Sequence, residues 1–97
     1  MFIEKVELEK IQAYFRDKPV KKAYLFGSFA RGEAEKESDI DILVELDYQM
    51  PIGLLFVEMK IDLEEILQRK VDLVSIKGFS KYILPTVEQE KKMIYAG

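Results

Sequence analysis

Apolar residues recur along this chain in two rhythms. In "MFIEKVELEKIQAYFRD" a helical period of about 3.6 residues is met by Phe2 or Ile3, Val6, Ile11 and Ala13 or Tyr14, with Glu and Lys between. The pattern predicts an amphipathic helix over residues 2–17, stopped by "DKP", because Pro19 restricts its predecessor and lacks an amide hydrogen. "VKKAYLFG" then predicts a strand over 21–26 that ends at Gly27. "SFARGEA" predicts a short helix capped by Ser28 and closing near Gly32. A charged loop, 33–38, leads into "DIDILVEL", a strand over 39–46 rich in β-branched residues. After the turn "DYQMP" comes the longest predicted helix, 52–69, with Ile52, Leu55, Met59, Leu63 and Ile66 on one face. "KVDLVSI" predicts a third strand over 70–76, and "KGFS" a turn. Residues 80–95 are expected to be helical, with Pro85 interrupting that run or starting its second part.

The order α–β–α–β–α–β–α implies an α/β (α+β) fold: a small mixed β-sheet with helices packed mainly on one face. The pattern leaves the relative direction of the second and third strands open. The 97 residues are expected to form a single domain, 1–97.

Composition narrows the chemistry. Cysteine and histidine are both absent, so acid–base or metal work falls to carboxylates, lysines, tyrosines and hydroxyls. The net charge of −3, with Lys and Arg scattered, lacks the basic footprint of a stand-alone DNA or RNA binder. It leaves room for a nucleotide whose charge metal ions neutralise. No apolar run approaches the roughly 20 residues that span a bilayer, so the expectation is a cytoplasmic protein without membrane contact.

Asp39 and Asp41 carry the first chemical signal. Side chains at i and i+2 of a strand share a face, at a backbone separation of roughly 6.6 Å. Ile40, Ile42 and Val44 then point the other way, into the core. Two carboxylates so placed can converge on hard cations such as Mg²⁺. Upstream, a strand ending at Gly27 and running into a helix presents backbone amides to an anion. Gly27 allows close approach, Ser28 offers a hydroxyl, and Arg31 lies one turn on. Separately these are a turn glycine, a helix cap and a surface charge; together they read as a phosphate cradle beside a cation site. Asp72, an acid in the apolar "VDLV", is the candidate third carboxylate, to complete the metal site or take a proton; the alternative is an edge-strand acid facing water. The other acids, among them Glu33, Glu35, Glu37, Glu45, Glu64 and Glu65, read as solvated surface. The run "IGLLFV" is apolar around most of its circumference, which fits either a sandwiched helix or a leftover interface patch.

"GSFARGEAEKESDID" resembles the GSxARGxxxxxSDxD signature of the DNA polymerase β-like nucleotidyltransferases, matched by Gly27, Ser28, Ala30, Arg31, Gly32, Ser38, Asp39 and Asp41. Over nearly the whole chain it looks like a minimal nucleotidyltransferase (MNT) domain. The resemblance implies that Gly27 and Ser28 help bind nucleotide phosphates. It also implies that Asp39 and Asp41, with Asp72 as third acid, hold two Mg²⁺ ions. Ser38 reads as a local hydrogen-bonding residue. By the same resemblance the chain is an antitoxin that transfers AMP from ATP to a tyrosine of a HEPN-domain ribonuclease toxin. A small acceptor such as an aminoglycoside, or a binding-only antitoxin, are the alternatives. A chain this short has no room for an acceptor-binding domain, which favours a protein partner.

Overall fold

In the computed structural model, which describes residues 2–47, 49, 52–76 and 89–97, the first helix, α1, covers Lys5–Phe15. The Glu4 amide donates to Glu7 Oε1 at 3.4 Å at its start. Its buried face is Ile11 and Phe15, with Leu8 packed alongside, a row at i, i+3 and i+7. Val6, which the periodicity placed on that face, is exposed instead; of the alternatives Ala13 and Tyr14, Ala13 is exposed and Tyr14 packs against the core. Both rows fit a helical period, and the larger side chains of the Leu8 row fill the sheet-facing side.

The chain continues as β1 (Val20–Phe26), α2 (Ser28–Arg31), β2 (Ile40–Leu46), α3 (Gly53–Leu67), β3 (Val71–Ser75) and β4 (Lys92–Ala96). The four strands form one sheet in the order β3-β2-β1-β4. β1 runs antiparallel to β2 and β4, and β2 runs parallel to β3. That parallel pair answers the direction that the pattern left open, and α3 supplies the long crossover such a pair needs.

Strand alternation decides what each face carries. Ala23, Leu25, Ile40, Ile42, Val44, Leu46, Val71 and Leu73 point to one side, against Ile11 and Phe15 of α1 and Met59, Leu63 and Leu67 of α3. The helices thus sit on one face, as the mixed-sheet reading expects. Tyr24 and Leu43, with Phe26 and Ile76, form a smaller cluster on the opposite face. Asp41 lies between the core residues Ile40 and Ile42, so it shares that second face.

The C-terminal expectation needs correction. Residues 92–96 are a strand, not the end of a helix, while 77–88, including Pro85, lie outside the described residues. The free edge of β1 explains the strand: its backbone groups need partners, and "KMIYA" provides them while burying Ile94. Glu64 is a second correction. Its half-buried carboxylate accepts the Val71 amide at 3.1 Å and ties the α3–β3 turn.

The helices are also joined by a polar tie, Tyr14 hydroxyl to Asp62 Oδ2. Burial first, then Asp62, pushes the Tyr14 hydroxyl well above its usual pKa, so it stays a donor throughout the working range. Tyr14→Phe should destabilise the protein by about 1 kcal/mol, read as a lower urea midpoint with an unchanged slope. No helix among the described residues is long and apolar enough to cross a membrane.

Candidate active site

β1 delivers the chain to Gly27, whose φ of 72° and ψ of −152° lie in a region open essentially to glycine alone. A Cβ built there would overlap the carboxylate of Asp41. Gly27, not Ser28, is the cap of α2; Ser28 is its first helical residue. The Gly27 carbonyl accepts the amides of Ala30 and Arg31, each at 3.1 Å. Gly32 closes the turn in the left-handed region at φ 73°, as expected. Buried Phe29 and Ala30 pin this single turn to the core.

Strand register assembles the acids. Phe26 pairs with Asp41 across β1 and β2, and Asp41 pairs with Asp72 across β2 and β3. Registered partners in neighbouring strands stand about 4.8 Å apart and project from the same face, so Asp72 joins Asp41 beside the end of β1. Asp39 lies one residue before β2 and is exposed, two residues from Asp41. Ser38 caps the loop before it, its hydroxyl accepting the Glu35 amide at 2.8 Å, the local role that the sequence suggested.

The electrostatics report the crowding. The Asp41 carboxyl is pushed up from 3.8 to about 6, first by burial, then by Asp72 and Asp39, against a lowering pull from Arg31. As they stand, no three acidic side chains among the described residues are gathered closely enough to enclose a metal ion. An open set of carboxylates is nevertheless the donor chemistry of Mg²⁺, which keeps several waters and shares its shell with phosphates. Asp72 and Asp39 both raise the Asp41 carboxyl, a repulsion that a dication would relieve, so the donor chemistry suits the ion although the side chains do not enclose one as they stand.

Two residues that brace α2 and its flanks escaped the sequence reading. Arg69 joins three pieces around α2: its guanidinium lies 5.2 Å over the Phe29 ring, donates to the Lys36 carbonyl at 2.6 Å and pairs with Glu7 at 3.6 Å. Glu90 reaches in from the C-terminal segment. Its Oε1 accepts the Gly27 amide at 2.9 Å, and both its oxygens accept from Arg31, at 3.1 and 3.2 Å. Glu33 takes the Arg31 Nε at 3.0 Å. Neither residue carries a sequence signal, since each finds partners far along the chain and Glu90 sits in the uniformly polar "EQEKK". A surface hollow of about 390 Å³, lined by Gln12, Arg16 and Tyr95 among others, lies elsewhere, between α1 and β4. The acids do not line it.

The family described as polymerase beta, nucleotidyltransferase matches residues 9–97. A candidate protein adenylyltransferase of Methanocaldococcus jannaschii is 42% identical over 86 residues, 86% of each chain. The protein adenylyltransferase MntA of Thermococcus cleftensis is 41% identical over 71 residues, 73% of this chain and 71% of its own. Among solved structures, a toxin–antitoxin complex with AMP-PNP matches with a TM-score of 0.77 and 26% identity, over 98% of this chain and 75% of its own. A chain from the complex of tri-AMPylated Shewanella oneidensis HEPN toxin with MNT antitoxin matches with a TM-score of 0.75 and 25% identity, over 98% of this chain and 74% of its own.

Proposed function

The chain belongs to the polymerase β nucleotidyltransferase family, and from that premise we propose that it is an Mg²⁺-dependent protein adenylyltransferase acting in the cytoplasm. It transfers AMP from ATP to a tyrosine of a HEPN-domain toxin and so serves as that toxin's antitoxin. The observation that carries this reading is the register: Asp41 and Asp72 lie side by side on one sheet face, with Gly27 packed against the Asp41 carboxylate. The likeness to a protein adenylyltransferase and to a complex with an AMPylated HEPN toxin supports the acceptor. The complex with AMP-PNP supports the nucleotide.

In this reading the Gly27 amide, the Ser28 hydroxyl and Arg31 hold the triphosphate. Asp39 and Asp41 would hold the metal, which would supply charge neutralisation at the phosphate oxygens when bound. The acceptor oxygen bonds to the α-phosphorus as the bond to the β-phosphate bridge breaks, and pyrophosphate leaves with the electron pair. Asp72, exposed at the edge of the set, receives the acceptor's proton or completes the metal's ligands.

A protein acceptor also has a place to rest. Leu54, Val57 and Ile61, at i, i+3 and i+7 of α3, are 84%, 52% and 55% exposed, while Leu55 and Phe56 pack against the core. This surplus apolar stripe supports a partner surface over a solvated helix face.

ATP labelled at the α-phosphate should label a cognate HEPN-domain toxin supplied with this chain, whereas γ-labelled ATP should not. Excess EDTA should reduce transfer to background. Label appearing only on small molecules, or toxin neutralised without any label, would refute the protein adenylyltransferase reading.

A further inference from the structure

Glu90 occupies the donors assigned to the nucleotide. One of its oxygens takes the Gly27 amide, and the pair is gripped by Arg31 Nη1 across 59 positions of sequence. The Glu90 side chain is 22% exposed and that of Arg31 43%, so the contact is partly screened from water. A backbone amide and a guanidinium bind carboxylate and phosphate by the same charge-assisted hydrogen bonds.

We infer that Glu90 is a built-in phosphate mimic, which holds the triphosphate cradle closed and must leave before a nucleotide can bind. The inference rests on Gly27 and Arg31 being phosphate-binding groups. A triphosphate and the Glu90 carboxylate cannot share these donors without setting like charges against each other. Glu33 already accepts the Arg31 Nε–H, and Glu90 takes Nη1, so the docked carboxylate removes a further donor and more of the positive charge that a phosphate would meet. Nucleotide affinity is therefore reduced by the fraction of molecules in which Glu90 is docked. Glu90 thus sets the ATP concentration at which the enzyme works, without touching the reacting atoms.

The test uses the full chain as wild type, Glu90→Ala and Glu90→Gln, titrated calorimetrically with Mg²⁺ and a non-hydrolysable ATP analogue. Glu90→Gln keeps the shape and removes the charge, so the comparison survives if the alanine variant folds poorly. Both variants should bind roughly tenfold tighter than wild type, with KM for ATP falling by a similar factor and kcat holding. Wild-type affinity in both would overturn the inference alone. Weaker binding in both would also overturn it, because Glu90 would then be a brace that positions Arg31. Analogue binding by none of the three would overturn the phosphate assignment of Gly27 and Arg31, and the inference with it.

Discussion

Asp41→Asn should cut AMP transfer on the order of a thousandfold and, at the same time, make the metal-free protein more stable at neutral pH. Both effects have one cause. The Asp41 carboxyl is pushed up from 3.8 to about 6 by burial and by Asp72 and Asp39, so the native state holds a proton there that the unfolded chain releases sooner. For a group with a raised native value, the stability it gives is full below about pH 4. It falls as pH rises and is lost above about pH 6. The asparagine variant never charges, so its advantage over wild type should grow across that interval and then level off. After allowance for solvent screening at a half-exposed site, the plateau is roughly 1 to 2 kcal/mol. Urea unfolding across the pH range, with EDTA present, measures it. Transfer should meanwhile fall on the order of a thousandfold, because the proposed metal ligand is lost where several kcal/mol of charge stabilisation is needed. A variant that transfers AMP at the wild-type rate would remove Asp41 from the site.

Gly27→Ala should damage catalysis although it deletes no functional group. Its backbone sits at φ 72° and ψ −152°, where a side chain costs about 1–3 kcal/mol. The new methyl would also overlap the Asp41 carboxylate and force it aside. Displacing a reacting constellation by about 1 Å can cost roughly a hundredfold in rate, and a loss of that order is expected in kcat. Gly32→Ala is the informative control. It too has positive φ, at 73°, but the added methyl meets the ring of Phe2, which is 62% exposed and able to move. That variant should lose stability yet keep most of its activity. Equal loss of kcat in the two variants would show that α2 matters as a fold element rather than through its contact with Asp41.

These contrasts show which features the sequence made legible. Alternation along 39–46 correctly separated Ile40, Ile42 and Val44 from Asp41, because a strand's period of 2 is unambiguous once one face is apolar. Asp72 could be nominated because an acid within an apolar strand needs a reason. Its pairing with Asp41 could not be read, since register depends on how α3 returns the chain. The exchange of roles between Gly27 and Ser28 is subtler: serine is the commoner cap, but only glycine reaches the backbone angles that the strand-to-helix turn demands. β4 was hidden because five residues of mixed polarity become a strand only beside the open edge of β1. Glu90 and Arg69 were hidden for a similar reason, as their partners lie dozens of residues away.

The most direct test of the proposed site is a crystal grown with Mn²⁺ in place of Mg²⁺ and a non-hydrolysable ATP analogue, recorded with anomalous scattering. The expected result is an anomalous peak beside the carboxylates of Asp39 and Asp41 and the nucleotide phosphates, with the phosphates against Gly27 and Ser28. Clear density for the nucleotide with the manganese peak away from both aspartates would contradict it.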